Sequence, residues 1–496
     1  MQQEQLVTNV VEEVLKQIGS GHALRAAPVS AGTVAISPGT PVAGSSQTSP
    51  SSADASASSG PGIFSSVDAA VDAAAQAQRQ LAETSLAVRA GIGQLLKQMA
   101  RDNAQRWGRF ELDETKIGRL DHKIVKLELL EAVPGVEFLE TATHSGDAGV
   151  SLDEAAPWGV IGVVTPVTHS IPTLVSNALS MVSAGNAMVV NPHPGGARSA
   201  CLAAGEYNKA IKERFNIDPL MCLIDPPTLR TAEEIFKHPG IPLLAVTGGP
   251  GVARAAMKQS KRAIVAGPGN PPVVVDETAD FDKAARAIIT GAAFDNNLLC
   301  IGEKEVFVVA AVFDAMIEAM RRAGAVELSS KQIDQLAEAV FTHEKGHYAV
   351  KKEFVGADTQ VLGELVGVTV PPGVDLLFGE TDQMSPFVSE EQMMPFVPFV
   401  RAADFSQAVD LAIKYEHGFG HTAVIHSNNL DNITKMGRAV NTTLFVANGP
   451  STACLGAGGE GYASYSIATP TGEGVTNPLT FTRFRRFSVS DSMRIV

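Results

Sequence analysis

The feature that most constrains this chain is an uninterrupted stretch, residues 155–197, without a single Asp, Glu, Lys or Arg. A run of that length could cross a bilayer as an apolar helix. It is broken, however, by Pro157, Pro166, Pro172, Asn177, Gly185 and Asn186, and an interior proline removes a helical hydrogen bond and clashes with the preceding turn. Short apolar pieces between such breakers are the signature of a strand, helix, strand unit buried on all sides. The reading is a large soluble core with no membrane span.

The same alternation continues along the chain. Residues 159–165, 187–191, 221–224, 243–247, 272–276 and 305–309 are short β-rich runs, and helical stretches lie between them. Residues 67–106 and 116–131 carry helical periodicity of their own. Strands spaced by helices imply parallel βαβ units in an open twisted sheet, hence an α/β fold. A length of 496 residues allows two or three domains. The formal net charge of −14 repels a phosphate backbone and argues against nucleic-acid binding. The four cysteines, Cys201, Cys222, Cys300 and Cys454, show no metal-ligand spacing, so no metal site is expected and a reduced cytoplasmic setting fits. The first residues lack the basic and apolar regions of a secretory signal.

Three compositional zones are visible. Leu6, Val7, Val10, Val11, Val14, Leu15 and Ile18 form an apolar stripe opposite Glu4, Glu12, Glu13 and Lys16, with Gly19 as a stop, which predicts an amphipathic helix over 1–18. Residues 19–62 are rich in Ala, Ser, Pro, Thr and Gly, with Arg25 and Asp54 as the only residues of the Asp, Glu, Lys and Arg set, and read as a flexible linker. A helix tethered by such a linker has nothing in cis to cover its apolar face, so docking on another protein is expected; folding back, or pairing with its copy, is the alternative. Residues 63–496 form the folded body.

Ligands in open α/β sheets sit on Gly-rich turns at the carboxyl ends of strands. One such turn, Thr247-Gly248-Gly249-Pro250-Gly251, ends a strand and opens a helix. It is neither a G-x-G-x-x-G fingerprint nor a P-loop. Ala266-Gly267-Pro268-Gly269-Asn270 is a second, suited to backbone passing close to a bound group or to another segment. Cys300, in Asp-Asn-Asn-Leu-Leu-Cys-Ile-Gly-Glu-Lys, has polar neighbours and a following glycine that suit a reactive thiol as well as a buried hydrophobe. His343, His347, His417, His421 and His426 lack ligand spacing and read as solvated or structural.

The order of these motifs, with Glu391-Gln392-Met393-Met394-Pro395, Asn191-Pro192-His193-Pro194 and the late Glu473-Gly474-Val475-Thr476-Asn477-Pro478, resembles the aldehyde dehydrogenase superfamily, specifically its CoA-acylating branch. The resemblance covers residues 63–496. It implies a doubly wound cofactor domain over 63–275 and a second α/β catalytic domain over 276–450. Residues 451–496 would return to the first domain and supply oligomerisation strands, giving a homodimer or homotetramer. It also implies NAD and coenzyme A as cofactors. Cys300 would be the nucleophile, adding to an aldehyde, passing hydride to nicotinamide and keeping the acyl group as a thioester. Glu391, Thr247, Gly248, Gly249, Gly251, Gly267, His193, Thr165 and Pro166 would line the cofactor.

Two departures from the superfamily pattern carry information. Hydrolytic members place a glutamate in the segment matching 266–269, and this chain has no carboxylate there. A thiol, partly ionised near neutrality, needs less activation than water, so acyl-CoA is the expected product. His169 stands where the superfamily commonly has an oxyanion-holding asparagine; it would either donate to the oxyanion or pack as a supporting residue. Arg483, Arg485 and Arg486 are either interface residues or CoA contacts. The leading helix and linker resemble the encapsulation peptide of bacterial microcompartment enzymes, which implies a shell protein or cargo enzyme as partner for 1–18. The substrate expected is a short aliphatic aldehyde, acetaldehyde or propionaldehyde. Hydrolytic or acyl-phosphate-reducing chemistry, and a non-catalytic scaffold, stay open on sequence grounds.

Overall fold

The computed structural model describes residues 60–344 and 347–495. The helix expected over 1–18 and all but the last three residues of the expected linker lie outside the described residues. Those last residues are already part of the body: the carbonyls of Pro61 and Gly62 accept hydrogen bonds from Asn208 and Leu223.

Two all-parallel sheets organise the chain. The first has six strands in the spatial order Ile63–Phe64, Met221–Ile224, Ala187–Pro192, Val160–Thr165, Leu243–Thr247, Arg262–Ala266. From Val160–Thr165 the chain winds outward one way through Ala187–Pro192, then returns to start the other way at Leu243–Thr247. The switch point therefore falls between these two central strands, where a doubly wound sheet opens a crevice at its carboxyl edge. The uncharged stretch supplies two central strands and the helix Ser170–Ser183, in which every residue is buried. That explains its composition: both faces of the strands and all sides of the helix lie in the core.

The helical region 67–106 resolves into Val67–Ala82, Leu86–Asp102 and the start of Ala104–Thr115. The first two of these helices start at serine caps. Ser66 and Ser85 accept from the backbone N–H groups of Ala69 and Val88, as serine does at an N-cap. Residues 116–131 contain the helix Leu120–Glu128, preceded by Lys116 in the left-handed region.

The second sheet has seven strands in the order Val326–Glu327, Leu377–Glu380, Phe396–Ala402, Glu305–Val309, Pro272–Val275, Thr422–His426, Leu444–Ala447. Pro272–Val275 pairs on both sides within this sheet. The expected boundary after Val275 is thus corrected: this strand opens the second domain. A fully buried parallel strand is apolar on both faces, so its sequence does not say which sheet it joins. Of the last residues, Ala463, Ala468 and Phe481 return to the first core, while Thr482–Ser490 pairs antiparallel with Gly149–Pro157 in a separate three-stranded sheet.

Candidate functional site

The site lies between the carboxyl edge of the first sheet and the amino edge of the second. Thr165, His193 and the turn 247–251 follow strands of the first sheet, whereas Gly269, Cys300, Glu391 and His421 precede strands of the second. The carboxyl-edge rule used on the sequence holds for the cofactor half only.

Cys300 follows an unusual backbone. Asp295, Asn296 and Asn297 are three successive left-handed residues, with φ of 49°, 56° and 63°. Each costs roughly 1 kcal/mol, least for Asp and Asn because their short side chains bond locally. Each is fixed from a different direction. Asp295 accepts from the Arg119 N–H at 2.8 Å, its own N–H donates to His122 Nδ1 at 2.8 Å, and its carboxylate pairs with Lys126. The Asn296 amide donates to the Gly356 carbonyl and the Asp358 carboxylate at 2.9 and 2.8 Å. The Asn297 amide donates to the Glu303 carbonyl at 2.9 Å, and its carbonyl accepts from Lys304 at 2.8 Å.

Beneath this loop lies a buried charge network. Lys123 pairs with Glu111 at 3.1 Å, and Glu111 also accepts from the N–H of Ile171, at the start of the helix Ser170–Ser183. Lys126 donates both to Asp295 and to the Thr168 carbonyl, the latter at 3.2 Å. One ammonium therefore ties the loop that leads into Cys300 to the loop that carries His169. Burial works against the Asp295 charge, but Lys126 and Lys123 more than offset it and hold the carboxyl below its ordinary value.

Cys300 is half-buried, yet its sulfur is closely surrounded. Burial pushes the thiol up to about 12 and Glu391 adds to this, while Lys304 and the N–H groups of Cys300 and Ile301 act in the opposite direction. Those N–H groups favour negative charge at the sulfur. Gly269 packs directly on the Cys300 carbonyl oxygen, with the His421 ring on the same side, and donates its N–H to the Glu391 carboxylate.

His421 is buried, the structural alternative of the expectation and not the solvated one. Its N–H donates to Glu416 at 2.8 Å, Nδ1 is bonded to the Thr422 hydroxyl at 2.8 Å, and Nε2 has no partner among the described residues. Burial lowers it to about 4, with Lys304 contributing, so the ring is neutral near pH 7. His426 is likewise buried. No motif surrounds His421; the signal that could have found it is the buried, uncharged sequence that follows it into a strand. Cys454 packs in the same small apolar cluster as Leu299, Cys300, Ile301, Leu455 and Ile467.

The expected cofactor-side residues differ in what surrounds them. Above Gly248, Gly249 and Gly251 there is open space where a side chain would stand. The helix Pro250–Met257 begins there with no side-chain cap, an arrangement that leaves N–H groups for an anion. Thr165 and His169 are buried, and Thr165 Oγ1 and His169 Nδ1 lack partners among the described residues. Orphaned polar atoms at a switch point fit a polar ring placed against them. Burial first, then Lys126, lower His169 well below its ordinary value, so it is neutral. Gly267, by contrast, faces Pro470, against which an added Cβ would stand 2.8 Å away; its tightness is owed to another chain segment. His193 Nδ1 accepts from the Gly195 N–H at 3.0 Å, and burial, then Lys352, lower its pKa. Arg483, Arg485 and Arg486 lie on Thr482–Ser490, with Arg486 committed to Asp153 through two bonds of 2.6 Å.

The aldehyde dehydrogenase family profile matches residues 45–464. The chain belongs to the aldehyde dehydrogenase family. It is 42% identical over 439 residues to the acetylating acetaldehyde dehydrogenase EutE of Salmonella typhimurium, a match spanning 88% of this chain and 94% of that protein. Among solved structures, it matches the propionaldehyde dehydrogenase of the Clostridium phytofermentans fucose utilisation bacterial microcompartment with a TM-score of 0.85 and 39% identity, covering 88% of this chain and all of that one. The Rhodopseudomonas palustris propionaldehyde dehydrogenase with bound propionyl-CoA matches at a TM-score of 0.84 and 39% identity, over 87% and 95% of the two chains. The CoA-propanoylating propanal dehydrogenase of Citrobacter freundii matches at 40% identity over 439 residues, 88% of this chain and 94% of that protein. Among the described residues no helix is long and apolar enough to cross a membrane.

Proposed function

We propose that this protein oxidises a short aliphatic aldehyde with NAD and transfers the acyl group to coenzyme A, through a thioester on Cys300. The observation that carries this reading is the backbone packing of Gly269 on Cys300: the segment facing the nucleophile holds glycine instead of a carboxylate, so no side chain there activates water. A thiol reaches the thioester with less help.

The chain's own groups fill the remaining roles. Cys300 Sγ forms the bond to the carbonyl carbon, and the N–H groups of Cys300 and Ile301 favour negative charge at this centre. Neutral His169 is a further donor to the oxyanion if its unpartnered Nδ1 carries the proton. His421, with Nε2 unpartnered, is placed to take a proton from the incoming thiol. Thr165, Pro166, the turn 247–251 and Glu391 would hold NAD, whose nicotinamide supplies a hydride acceptor when bound. His193 and Lys352 offer polar and cationic groups for a polyanionic ligand. The apolar cluster around Cys300, with Cys454, Leu455 and Ile467, suits a short alkyl chain.

Two further assignments belong to the same reading. Residues 1–18 dock on a shell protein or cargo enzyme, placing the chain inside a bacterial microcompartment. The exposed Phe484 and Phe487 on Thr482–Ser490 support a homo-oligomer through that strand. NADH formation from propionaldehyde and NAD, with and without CoA, in wild type and Cys300→Ala, tests the chemistry. CoA-dependent turnover that the substitution abolishes is expected. Equal rates without CoA would make water the acyl acceptor and overturn the proposal.

A further inference from the structure

Lys304 is fully buried at the entry to the strand Glu305–Val309, and no step of the reaction requires it to touch a substrate. Its ammonium donates to the Asn297 carbonyl at 2.8 Å, to the Leu299 carbonyl at 3.3 Å and to the Asn297 side-chain oxygen. Three acceptors take all three protons of an –NH3+ group. Every acceptor belongs to the segment that leads into Cys300. The main chain of Lys304 is anchored as well: its N–H donates to the Pro271 carbonyl at 3.0 Å and its carbonyl accepts from Gln392 at 3.2 Å.

We propose that Lys304 is a positioning residue for the nucleophile, whose fixed ammonium pins the backbone at Asn297 and Leu299 and supplies the positive field in which Cys300 Sγ becomes a thiolate. The inference rests on Cys300 being the nucleophile. The charged and titratable groups facing this pair are Glu391, Glu303, Glu305 and His421. Glu391 opposes a thiolate; Lys304 is the side chain that favours one. A buried lysine carries a large desolvation cost, and a charge held by three loop oxygens beside a thiol puts that cost to use.

The test is the pH dependence of Cys300 alkylation by iodoacetamide in the full-length protein without cofactor, read by mass spectrometry of the Cys300 peptide. This readout follows the thiolate and does not require turnover. Lys304→Met is expected to move the inflection to higher pH and to slow alkylation near neutral pH by about tenfold for each pH unit of that movement. Lys304→Arg, which keeps the charge, is expected to restore most of the rate. Asn297→Asp keeps the shape but sets a carboxylate on the ammonium, and is also expected to raise the inflection; it decides the matter if Lys304→Met does not fold. An inflection unmoved or lowered in Asn297→Asp, or in a folded Lys304→Met protein, overturns the proposal. Retained turnover in Cys300→Ala would instead refute the nucleophile assignment, leaving the effect of Lys304 on the thiol separately readable.

Discussion

Replacing Gly269 by alanine adds one methyl group, and its effect can be worked from the packing. The new Cβ would fall well inside contact distance of the Cys300 carbonyl oxygen and 3.1 Å from the His421 ring. The first neighbour is backbone and the second is a ring bonded at Nδ1, so neither can swing aside as a flexible side chain would. Restoring an ordinary contact requires a displacement on the order of 1 Å. A misplacement of that size at a reacting centre costs about 100-fold in rate, whereas overpacking of this kind costs only about 1–3 kcal/mol of stability. The assay is CoA-dependent NADH formation alongside a thermal melt, with Gly146→Ala as control, because nothing lies within 4 Å of a Cβ there. The expected outcome is a folded Gly269→Ala enzyme whose kcat/KM falls about 100-fold. Near wild-type kcat/KM in the folded variant would show that the contact between Gly269 and Cys300 does not set the geometry of the nucleophile.

Two more predictions concern buried charge. Lys126→Met leaves the Asp295 carboxylate unpaired in the core and should destabilise by about 3–5 kcal/mol, with part of the loss recovered in the double variant carrying Asp295→Asn; strictly additive losses in urea unfolding would refute the coupling. Glu303 accepts from the N–H and hydroxyl of Ser451, both at 2.8 Å, but burial still raises its carboxyl from 4.5 to about 7. The folded state therefore holds this proton more tightly than the unfolded chain, and stability falls as pH rises from 4.5 to about 7. Glu303→Gln removes that loss, worth about 3 kcal/mol, and should gain on wild type across the window; parallel pH profiles would contradict it.

The alternation of strands and helices was legible because parallel strands are apolar on both faces and their breakers are Pro, Gly and Asn. Which sheet Pro272–Val275 joins was not, since nothing in an apolar run names its neighbours. The nucleophile loop was half legible: Asp295, Asn296 and Asn297 are the residue types that tolerate left-handed backbone, but the clamps on them come from distant positions. Lys123, Lys126 and Glu111 look like the polar face of surface helices, and only tertiary packing buries them. His421 was not placed beside Gly269 for the same reason, as that proximity is created by the pairing of Pro272–Val275 with Thr422–His426. The turn 247–251 was readable in place; Gly267 carried the right composition but meets Pro470.

The holds on Asp295 and Asn296 reach back to Arg119, His122 and Lys126 and forward to Gly356 and Asp358. During synthesis, a chain that has just emitted Cys300 lacks the forward hold, and also lacks Glu391 and His421. Its cysteine sits on a loop held only from the N-terminal side. The fixed geometry of Cys300 thus arrives with completion of the second sheet, and a chain truncated before Gly356 carries the same thiol without the contacts that lock the turn before it.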